Sequence, residues 1–525
     1  MDVLSNLALG FGQAVSPENL LIALAGCIVG TAVGVLPGLG PTATISLLLP
    51  ISVYLDKTSA VILLSGIYYG AMYGGSITSI LVKIPGEAAS VITCIDGYQM
   101  ARKGRGGAAL AIAAFGSFFA GVVATIGIAV VGPGVADYAL AFGPIEKTSL
   151  FILGFMLVLG VGESSKIRAL AMIGLGLLMA TVGVDLVSGD ERFVFDIPAL
   201  RDGFGIAILA MGLFGISEVL LMAEGDENAS APIPHAGRLR DLMPNRREIR
   251  ESAGPVMRGS LLGFFLGLLP GGGALISSFA SYMLERKLSR TPEAFGKGAV
   301  AGVAGPEAAN NAGAQASFIP LLCLGIPANA TIGVIMGALL LAGITPGPRL
   351  IVEHPELFWG VIASMFVGNL ILVVLNVPLV GLFVSLLRVP RAIMAILITF
   401  FCVIGAYSFN NSMFDVGAML AFGLVGYALR KARFDVAPLL LAFVLGGLIE
   451  ESLMQALIIG HGELSAFLVS PLSAVFLAAA VLVSVVPPIL SLLLRKKIQD
   501  GLPQDLSKGL PQDLPKDLPK DLPQP

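Results

Sequence analysis

The sequence predicts an all-α polytopic membrane protein with about 11–12 transmembrane helices and two re-entrant or broken-helix hairpins, arranged as two inverted-topology repeats. Two observations predict this class: the chain is too apolar for a soluble protein, and one Gly-Pro pattern occurs twice at a constant spacing. Hydrophobic residues make up 56% of the chain and charged residues 13%, with a mean hydropathy of +0.88. A soluble domain has about half apolar and a quarter charged residues.

Apolar stretches of about twenty residues recur along the chain, and each is long enough to cross a bilayer as a helix. Helices are expected because a spanning segment must satisfy its own backbone hydrogen bonds. The counts of glycine (65) and proline (32) are typical of helices that pack closely and are interrupted. The four cysteines show no metal-ligand spacing, and no basic segment of a cleaved signal peptide follows Met1. The Pro-rich residues 498–525 predict a disordered tail.

Lysine and arginine in short loops indicate the cytoplasmic side of a membrane protein. The basic loops are Arg102 to Arg105, Lys166 to Arg168, Arg238 to Arg258, Arg286 to Lys297, Arg388 to Arg391, Arg430 to Arg433 and Arg495 to Lys497. Poorly basic loops, predicted outside, lie near Gly132 to Lys147, Ser188 to Asp202, Glu353 to Glu356, Tyr407 to Ser412 and His461 to Glu463. The C-terminus is therefore predicted to be cytoplasmic.

The segment from Arg258 to Arg286 is apolar in the middle but basic at both ends. A single crossing would place one basic end outside. Pro270-Gly271-Gly272-Gly273 divides it into two arms of about a dozen residues, each of which rises roughly 18 Å as a helix and reaches the midplane. We therefore predict a re-entrant hairpin that enters and leaves on the cytoplasmic side, with its tip at the Gly-rich break.

The same pattern stands near the N-terminus, where Gly30 and Gly40 correspond to Gly263 and Gly273. The offset is constant, since 263 minus 30 and 273 minus 40 both give 233. A second pair of motifs follows, Ile84-Pro85-Gly86-Glu87 and Ile326-Pro327-Ala328-Asn329, at an offset of 326 minus 84, or 242. The sequence therefore contains two copies of one unit.

Spans near 107–131, 147–162, 167–186 and 203–223 separate the two copies and return the chain to the cytoplasm. If the first hairpin enters from outside, the stretch from Thr58 to Pro85 crosses inward and its counterpart from Gly298 to Pro346 leads outward, so the copies have opposite topology. The predicted organisation is a first repeat unit at 1–223, a cytoplasmic loop at 224–257, a second unit at 258–497 and the tail. Inverted repeats with paired broken helices are a feature of secondary transporters, whose substrate site lies near the midplane. Transport is thus the function that the pattern favours.

Four segments resemble signature stretches of the large membrane subunit of the tripartite tricarboxylate transporters. They are GTAVGVLPGLGPTATISLLLP from Gly30, YGGSITSILVKIPGEAASVITCIDGYQMARKGR from Tyr73, GLLPGGGALISSFASYMLERKLSR from Gly267 and FGKGAVAGVAGPEAANNAGAQASFIPLLCLGIPANATIGVIMG from Phe295. Lys83 and the pair Ala328-Asn329 differ from the family pattern, which leaves the substrate and coupling ion open.

The resemblance implies a multi-pass permease of the bacterial cytoplasmic membrane that takes up citrate or another small carboxylate. It implies a small membrane subunit and a periplasmic solute-binding protein as partners, and an ion gradient, of Na+ or H+, as the energy source. The absence of a Walker A motif agrees with this energy source. No cofactor and no nucleic-acid partner are expected.

The two Gly-rich tips are the first candidate substrate site, because half-helix N-termini offer free N–H groups to an anion. Backbone donation is predicted at the tips, with hydroxyl contacts after them; the residues are Gly38, Gly40, Thr42, Gly271, Gly272, Gly273 and Ser277. The alternative is that these glycines only allow close helix packing.

A second group of polar residues lies around the Ile-Pro motifs, and Gly74, Ser76, Lys83, Asn310 and Asn311 are its predicted substrate contacts. Three alternatives are open for the two asparagines: they contact substrate oxygens, they bind a sodium ion, or they form an interhelical hydrogen bond. Lys83 and Glu87 flank Pro85-Gly86, and three alternatives are open for them. They pair with each other, or Lys83 meets a substrate carboxylate while Glu87 binds a cation or a proton, or both extend to the membrane surface.

Other ionisable residues give weaker signals. Glu87 and Asn329 are the predicted coupling-ion residues. Glu307, beside Pro306, and the pair Glu450-Glu451 are interpreted as helix-breaking or interfacial. The sequence has no GxSxG elbow and no HExxH helix, so an enzyme has no support. The competing function is a passive anion channel or pore, which would need no coupling ion.

Overall fold

The computed structural model describes residues 3–36, 38–161, 165–185, 189–224, 243–271 and 273–484. Almost all of this part is helical, and its one ladder pairs strands β1 (Gly183–Val184) and β2 (Glu191–Arg192) antiparallel. The predicted tail at 498–525 and most of the predicted loop at 224–257 lie outside the described residues.

The helices of the first half are α1 (Val3–Ala14), α2 (Pro17–Val35), α3 (Gly40–Ser52), α4 (Lys57–Val82), α5 (Thr93–Met100), α6 (Gly106–Ala139), α7 (Pro144–Val161), α8 (Lys166–Ala180), α9 (Ile206–Ala210) and α10 (Ser217–Glu224). Those of the second half are α11 (Arg246–Gly267), α12 (Gly273–Leu288), α13 (Ala301–Ala316), α14 (Ala330–Leu341), α15 (Leu350–Glu353), α16 (Pro355–Asn376), α17 (Val380–Leu386), α18 (Arg391–Asn410), α19 (Met413–Lys431), α20 (Ala437–Ile459), α21 (Ala466–Val469) and α22 (Pro471–Ser484). Short 3₁₀ or π turns occupy Ala88–Val91, Ala101–Arg105, Pro198–Leu200, Met211–Ile216, Pro292–Ala294 and Pro320–Leu324.

Eight helices within the described ranges are long and apolar enough to cross a membrane, and three shorter apolar helices, α3, α14 and α22, accompany them. Large apolar side chains also cover the outer surface: Ile396 is 68% exposed and Phe400 56% exposed on α18. Such a surface suits lipid rather than water. The predicted class, an all-α polytopic membrane protein, is confirmed.

Three glycines spaced by four residues form one face of α2, and each lies against a backbone carbonyl of α4. The pairs are Gly26 with Leu63, Gly30 with Ile67 and Gly34 with Ala71. Small residues at this spacing let two backbones approach closely. Because residue numbers rise together along both helices, α2 and α4 run parallel.

The second half repeats this contact residue for residue, between α11 and α13. The pairs are Gly259 with Gly305, Gly263 with Ala309 and Gly267 with Gly313. The glycines correspond to those of α2 at the offset of 233, as in 259 minus 26, and the carbonyls to those of α4 at 242, as in 305 minus 63. The sequence repeat is therefore also a repeat of packing.

One helix connects the two members of each parallel pair: α3 connects α2 to α4, and α12 connects α11 to α13. This connecting helix must run antiparallel to the pair, so α2–α3 and α11–α12 are helical hairpins. In the second hairpin Arg258 of α11 forms a bidentate ion pair with Glu285 of α12, with N···O distances of 2.8 and 2.6 Å. This pair joins the entering and leaving arms, so both open ends of the hairpin lie on one face.

The long helices of the two units run in opposite directions where they meet. Ser76, near the C-terminus of α4, bonds Glu307 in the first half of α13. The ring of Tyr68, earlier in α4, lies 6.3 Å from that of Phe318, just past the end of α13. Residue numbers therefore rise along α4 as they fall along α13, and the two are antiparallel.

Helix α11 begins at Arg246, inside the stretch 224–257 that the sequence predicts as loop. A capping box explains this start: Asn245 accepts from the backbone N–H of Glu248, and Glu248 accepts from that of Asn245. Glu248 also pairs with Arg105, and this hydrogen bond holds the pKa of the carboxyl below its usual range. The contact places the loops at Arg105 and Glu248 on the same face.

Cysteine labelling tests the second hairpin. Cysteines at Arg250 and Arg286, both exposed, should react with an impermeant thiol reagent from one side only, and a cysteine at Tyr54, which is 77% exposed beside the first hairpin, from the other side. The four native cysteines are buried, so background labelling is low. Opposite sidedness of the Arg250 and Arg286 positions would show that the segment crosses the membrane.

Candidate functional site

Two helix breaks of the same design lie between the units. Helix α4 ends at Val82, and the next residue, Lys83, takes the left-handed conformation with φ of 60°. The π turn after α13 ends in the same way at Gly325, with φ of 71°. Since 325 minus 83 is 242, these breaks stand at corresponding positions.

Each break is followed by a polar residue that caps the next helical segment. Glu87 accepts from the backbone N–H of Ala89 at 2.6 Å, and Asn329 accepts from that of Ile332 at 3.0 Å. Both caps have extended backbones, which is the usual N-cap conformation. The predicted motif pair Pro-Gly-Glu and Pro-Ala-Asn therefore forms matching caps.

Each cap also bonds the long helix of the other unit. The amide of Asn310 on α13 donates to Glu87 at 3.1 Å, and the amide of Asn329 donates to the hydroxyl of Tyr68 on α4 at 3.0 Å. The two bonds are related by the repeat, because 310 minus 68 and 329 minus 87 both give 242. We call these four residues the inter-repeat cluster.

The Gly-rich tips are broken where the sequence predicts. Gly38 and Gly271 correspond at the offset of 233 and have φ of 99° and 101°, a region in which glycine costs least. The N–H of Gly271 donates to the carbonyl of Ala328 at 2.7 Å, which ties the second tip to the second break. A Cβ added at Gly38 would lie 2.8 Å from the carboxylate of Glu218. Gly272 lies outside the described residues.

The helices that start at the tips and breaks meet through hydroxyl groups. Thr42 on α3 bonds Thr331 on α14 at 2.7 Å, and Gly40 has open space around it. A Cβ added at Gly273 would lie 3.0 Å from the hydroxyl of Ser317. Ser277, predicted to contact substrate, is fully buried and donates to the carbonyl of Gly273 at 2.5 Å, so its hydrogen is already used within α12.

Of the remaining predicted residues, Gly74 packs against the backbone of Thr31, and Asn311 bonds the hydroxyl of Ser117 at 2.7 Å. For Asn311 the structure thus contains the interhelical hydrogen bond that was one of the open alternatives. Asn310 reaches the cap at Glu87 instead. Lys83 is exposed, with its ammonium 5.9 Å from the ring centre of Tyr98. The ion pair of Lys83 with Glu87 is therefore wrong, because Glu87 turns inward to Asn310 and Lys83 outward.

Glu307 corrects a second interpretation. It is fully buried in the middle of α13 rather than at a helix end or interface, although Pro306 precedes it. Its two carboxylate oxygens accept from Ser76 at 2.5 Å and from Thr93. Glu450 of α20, in contrast, is half-buried and pairs with Arg192 of β2.

Sequence reasoning missed the tyrosine, threonine and asparagine partners. Asn369 of α16 accepts from Gln315 at 2.9 Å and from Tyr73 at 3.2 Å, which joins three helices. A signal existed, since an asparagine in an apolar span is costly unless it is bonded. Tyr68 and Thr331 gave no such signal because both residue types are common in apolar helices. Within the described part of the chain, no group of three His, Cys, Asp or Glu residues is placed to hold a metal ion.

Comparison with known proteins gives one family and two curated relatives. Residues 20–441 match the model of the "Tripartite tricarboxylate transporter TctA family". An Agrobacterium vitis protein described as "Uncharacterized 52.8 kDa protein in TAR-I ttuC' 3'region" is 49% identical over 94% of this chain and 98% of its own length. A second, "Uncharacterized protein in TAR-II ttuC' 3'region", also from Agrobacterium vitis, is 51% identical over 44% of this chain and 96% of its own length. No solved structure matches.

Proposed function

We propose, because this chain belongs to the tripartite tricarboxylate transporter TctA family, that it is the large permease subunit of an ion-gradient-driven uptake system for small organic carboxylates. The family and the eight long apolar helices make it a multi-pass membrane transport protein rather than an enzyme. The proposed substrate is a citrate-like tricarboxylate or a dicarboxylate. The proposed partners are a small membrane subunit and a periplasmic solute-binding protein in the bacterial cytoplasmic membrane.

The observation that carries this proposal is the inter-repeat cluster. Two units with the same packing run antiparallel at α4 and α13, and matching hydrogen bonds hold the caps: Glu87 accepts from Asn310, and Asn329 donates to Tyr68. This arrangement supports an inverted repeat, in which substrate binds at the midplane between the units. The two halves of the repeat make equivalent contacts with each other. Such an arrangement is better suited to an alternating-access transporter than to a pore of fixed shape.

Substrate binding is proposed at the helix starts that converge on the cluster. Helices α3 and α12 begin at the tips and α14 at the second break, and the partial positive charge of a helix start attracts a carboxylate. The bonded hydroxyls of Thr42 and Thr331 exchange with substrate oxygens, and the glycines of the tips let the anion approach the backbone. Glu87 and Asn329 supply oxygen atoms for the coupling ion.

The proposed orientation places the basic loops and the C-terminus in the cytoplasm. It is supported by contacts between loops predicted on the same side. Arg105 bonds Glu248 and Arg168 bonds the carbonyl of Arg433 among the cytoplasmic loops. On the other side, three residues of predicted outer loops bond segments outside those loops: Glu356 bonds Gln13, the carbonyl of Ser408 bonds Tyr54, and Glu146 bonds Ser470.

Uptake in reconstituted vesicles tests the proposal. Vesicles that contain both membrane subunits should accumulate radiolabelled citrate, or another carboxylate from a panel, when the binding protein is added and an inward Na+ or H+ gradient is imposed. Accumulation should end when both gradients are dissipated and continue without ATP. Vesicles without this chain are the control. Downhill flux that ignores the gradients would identify a channel, and accumulation that follows ATP alone would exclude the proposal.

A further inference from the structure

A buried carboxylate lies beside the inter-repeat cluster, and none of the described lysine, arginine or histidine side chains pairs with it. Glu307 of α13 is fully buried, and its oxygens accept hydroxyl hydrogens from Ser76 of α4 and Thr93 of α5. Each hydroxyl can donate to an ionised carboxylate or accept from a protonated one, so these two partners allow Glu307 to hold its charge. An ionised carboxylate inside a membrane protein requires a positive counter-charge.

Further oxygen atoms around Glu307 lack donors. The side-chain oxygen of Asn311, one turn along α13, is buried and accepts no hydrogen bond within the described residues, and neither does that of Asn376. Asn376 is 3% exposed and lines a cavity of about 10 Å³ together with Ser76 and Ser117. That volume is about the least that holds one water molecule.

Ser76 connects the carboxylate to the cavity. Its hydroxyl bonds Glu307 at 2.5 Å and also lies 3.2 Å from the carbonyl of Met72. A hydroxyl has one hydrogen and two lone pairs, so the hydrogen can turn to Met72 and leave the oxygen free for a cation. Ser76 also lines the cavity, where a water molecule would reach Asn376.

We propose that Glu307, Ser76 and Thr93 bind a sodium ion, with one water in the adjacent cavity completing its coordination. One carboxylate balances one positive charge, whereas calcium sites in proteins draw on several carboxylates. A proton would satisfy a single acceptor, but the ion and its water satisfy the carboxylate, the hydroxyl oxygens and Asn376 together. Helices α4 and α5 of the first unit and α13 of the second supply the ligands, so a bound sodium ion joins the two units. This site is separate from the coupling-ion residues proposed above, Glu87 and Asn329. The inference rests on the proposed function only for the use of the ion, since binding is independent of carboxylate.

Sodium binding to the purified protein, without substrate, tests the site. Binding of ²²Na+ is measured for wild type, Glu307→Gln, Ser76→Ala and the exposed control Glu293→Gln, with choline as the replacement cation at constant ionic strength. We expect saturable binding to wild type and to Glu293→Gln. Glu307→Gln should bind about tenfold more weakly or not at all, and Ser76→Ala, which keeps the charge, should also lose about tenfold.

Two results would overturn the site: wild-type affinity in Glu307→Gln, or no saturable sodium binding by wild type. If Glu307→Gln does not yield folded protein, unchanged affinity in Ser76→Ala overturns the site equally. Failure of the proposed function has a different signature, because wild type would then bind sodium at Glu307 and still take up no carboxylate in vesicles.

Discussion

Replacing Gly271 by valine should reduce carboxylate uptake to background while the protein still inserts in the membrane. Gly271 has φ of 101°, which a β-branched residue strongly disfavours. A Cβ there would lie 2.9 Å from Cα of Val158 and 3.0 Å from the carbonyl oxygen of Leu157, so the tip would have to move away from α7. That movement would pull the N–H of Gly271 from the carbonyl of Ala328 and displace the second break.

The readout is radiolabelled citrate uptake in vesicles, normalised to correctly oriented protein. Gly417→Val is the matched control, because Gly417 lies on an exposed helical face of α19 with no other atoms near its Cβ position. It should transport at the wild-type rate. Uptake by Gly271→Val equal to that of the control would mean that the tip is a packing feature and not part of the transport site.

The positions of the tips and breaks could be predicted from the sequence because glycine and proline act through the backbone. Positive φ at Gly38 and Gly271 and the ends of α4 and the π turn at Pro320–Leu324 are local consequences of residue type. The constant offsets then related the two copies without any structure. The start of α11 also had a local signal, the Asn245-Glu248 capping box, which its charged composition concealed.

The side-chain partners could not be predicted in this way, because they depend on which helices become neighbours. Ser277 was expected to face substrate, but at its position in α12 the hydroxyl turns to the carbonyl four residues earlier. Glu307 was interpreted as helix-breaking or interfacial because proline precedes it. Its burial follows from the packing of α13 between α4, α6 and α11, which no local pattern encodes. Lys83 and Glu87 are four residues apart, yet Lys83 itself takes the left-handed conformation that ends α4, and the two side chains point in different directions.

The close packing of the first unit gives the largest expected effect on stability. Gly86 lies in the break after α4, and a Cβ there would overlap the carbonyl oxygen of Gly34 on α2 and lie 2.6 Å from Cα of Gly75 on α4. Both obstacles are backbone atoms of helices that are themselves pressed together through glycines, so neither can turn aside as a flexible side chain would. Overpacking of a rigid core costs about 1–3 kcal/mol and sometimes more.

Gly86→Val should therefore lower the free energy of unfolding of the purified protein by about 3 kcal/mol or more, which lowers its melting temperature, and should abolish uptake. Gly86→Ala should fall between it and wild type, because it adds only the Cβ. The control is Ala328→Gly at the corresponding position, since 328 minus 86 is 242; Ala328 is buried and its Cβ is already accommodated. Removing that methyl group should cost only about 1 kcal/mol. If Gly86→Val melts at the temperature of Ala328→Gly, the first break is not packed against α2 and α4, and the proposed equivalence of the two breaks fails with it.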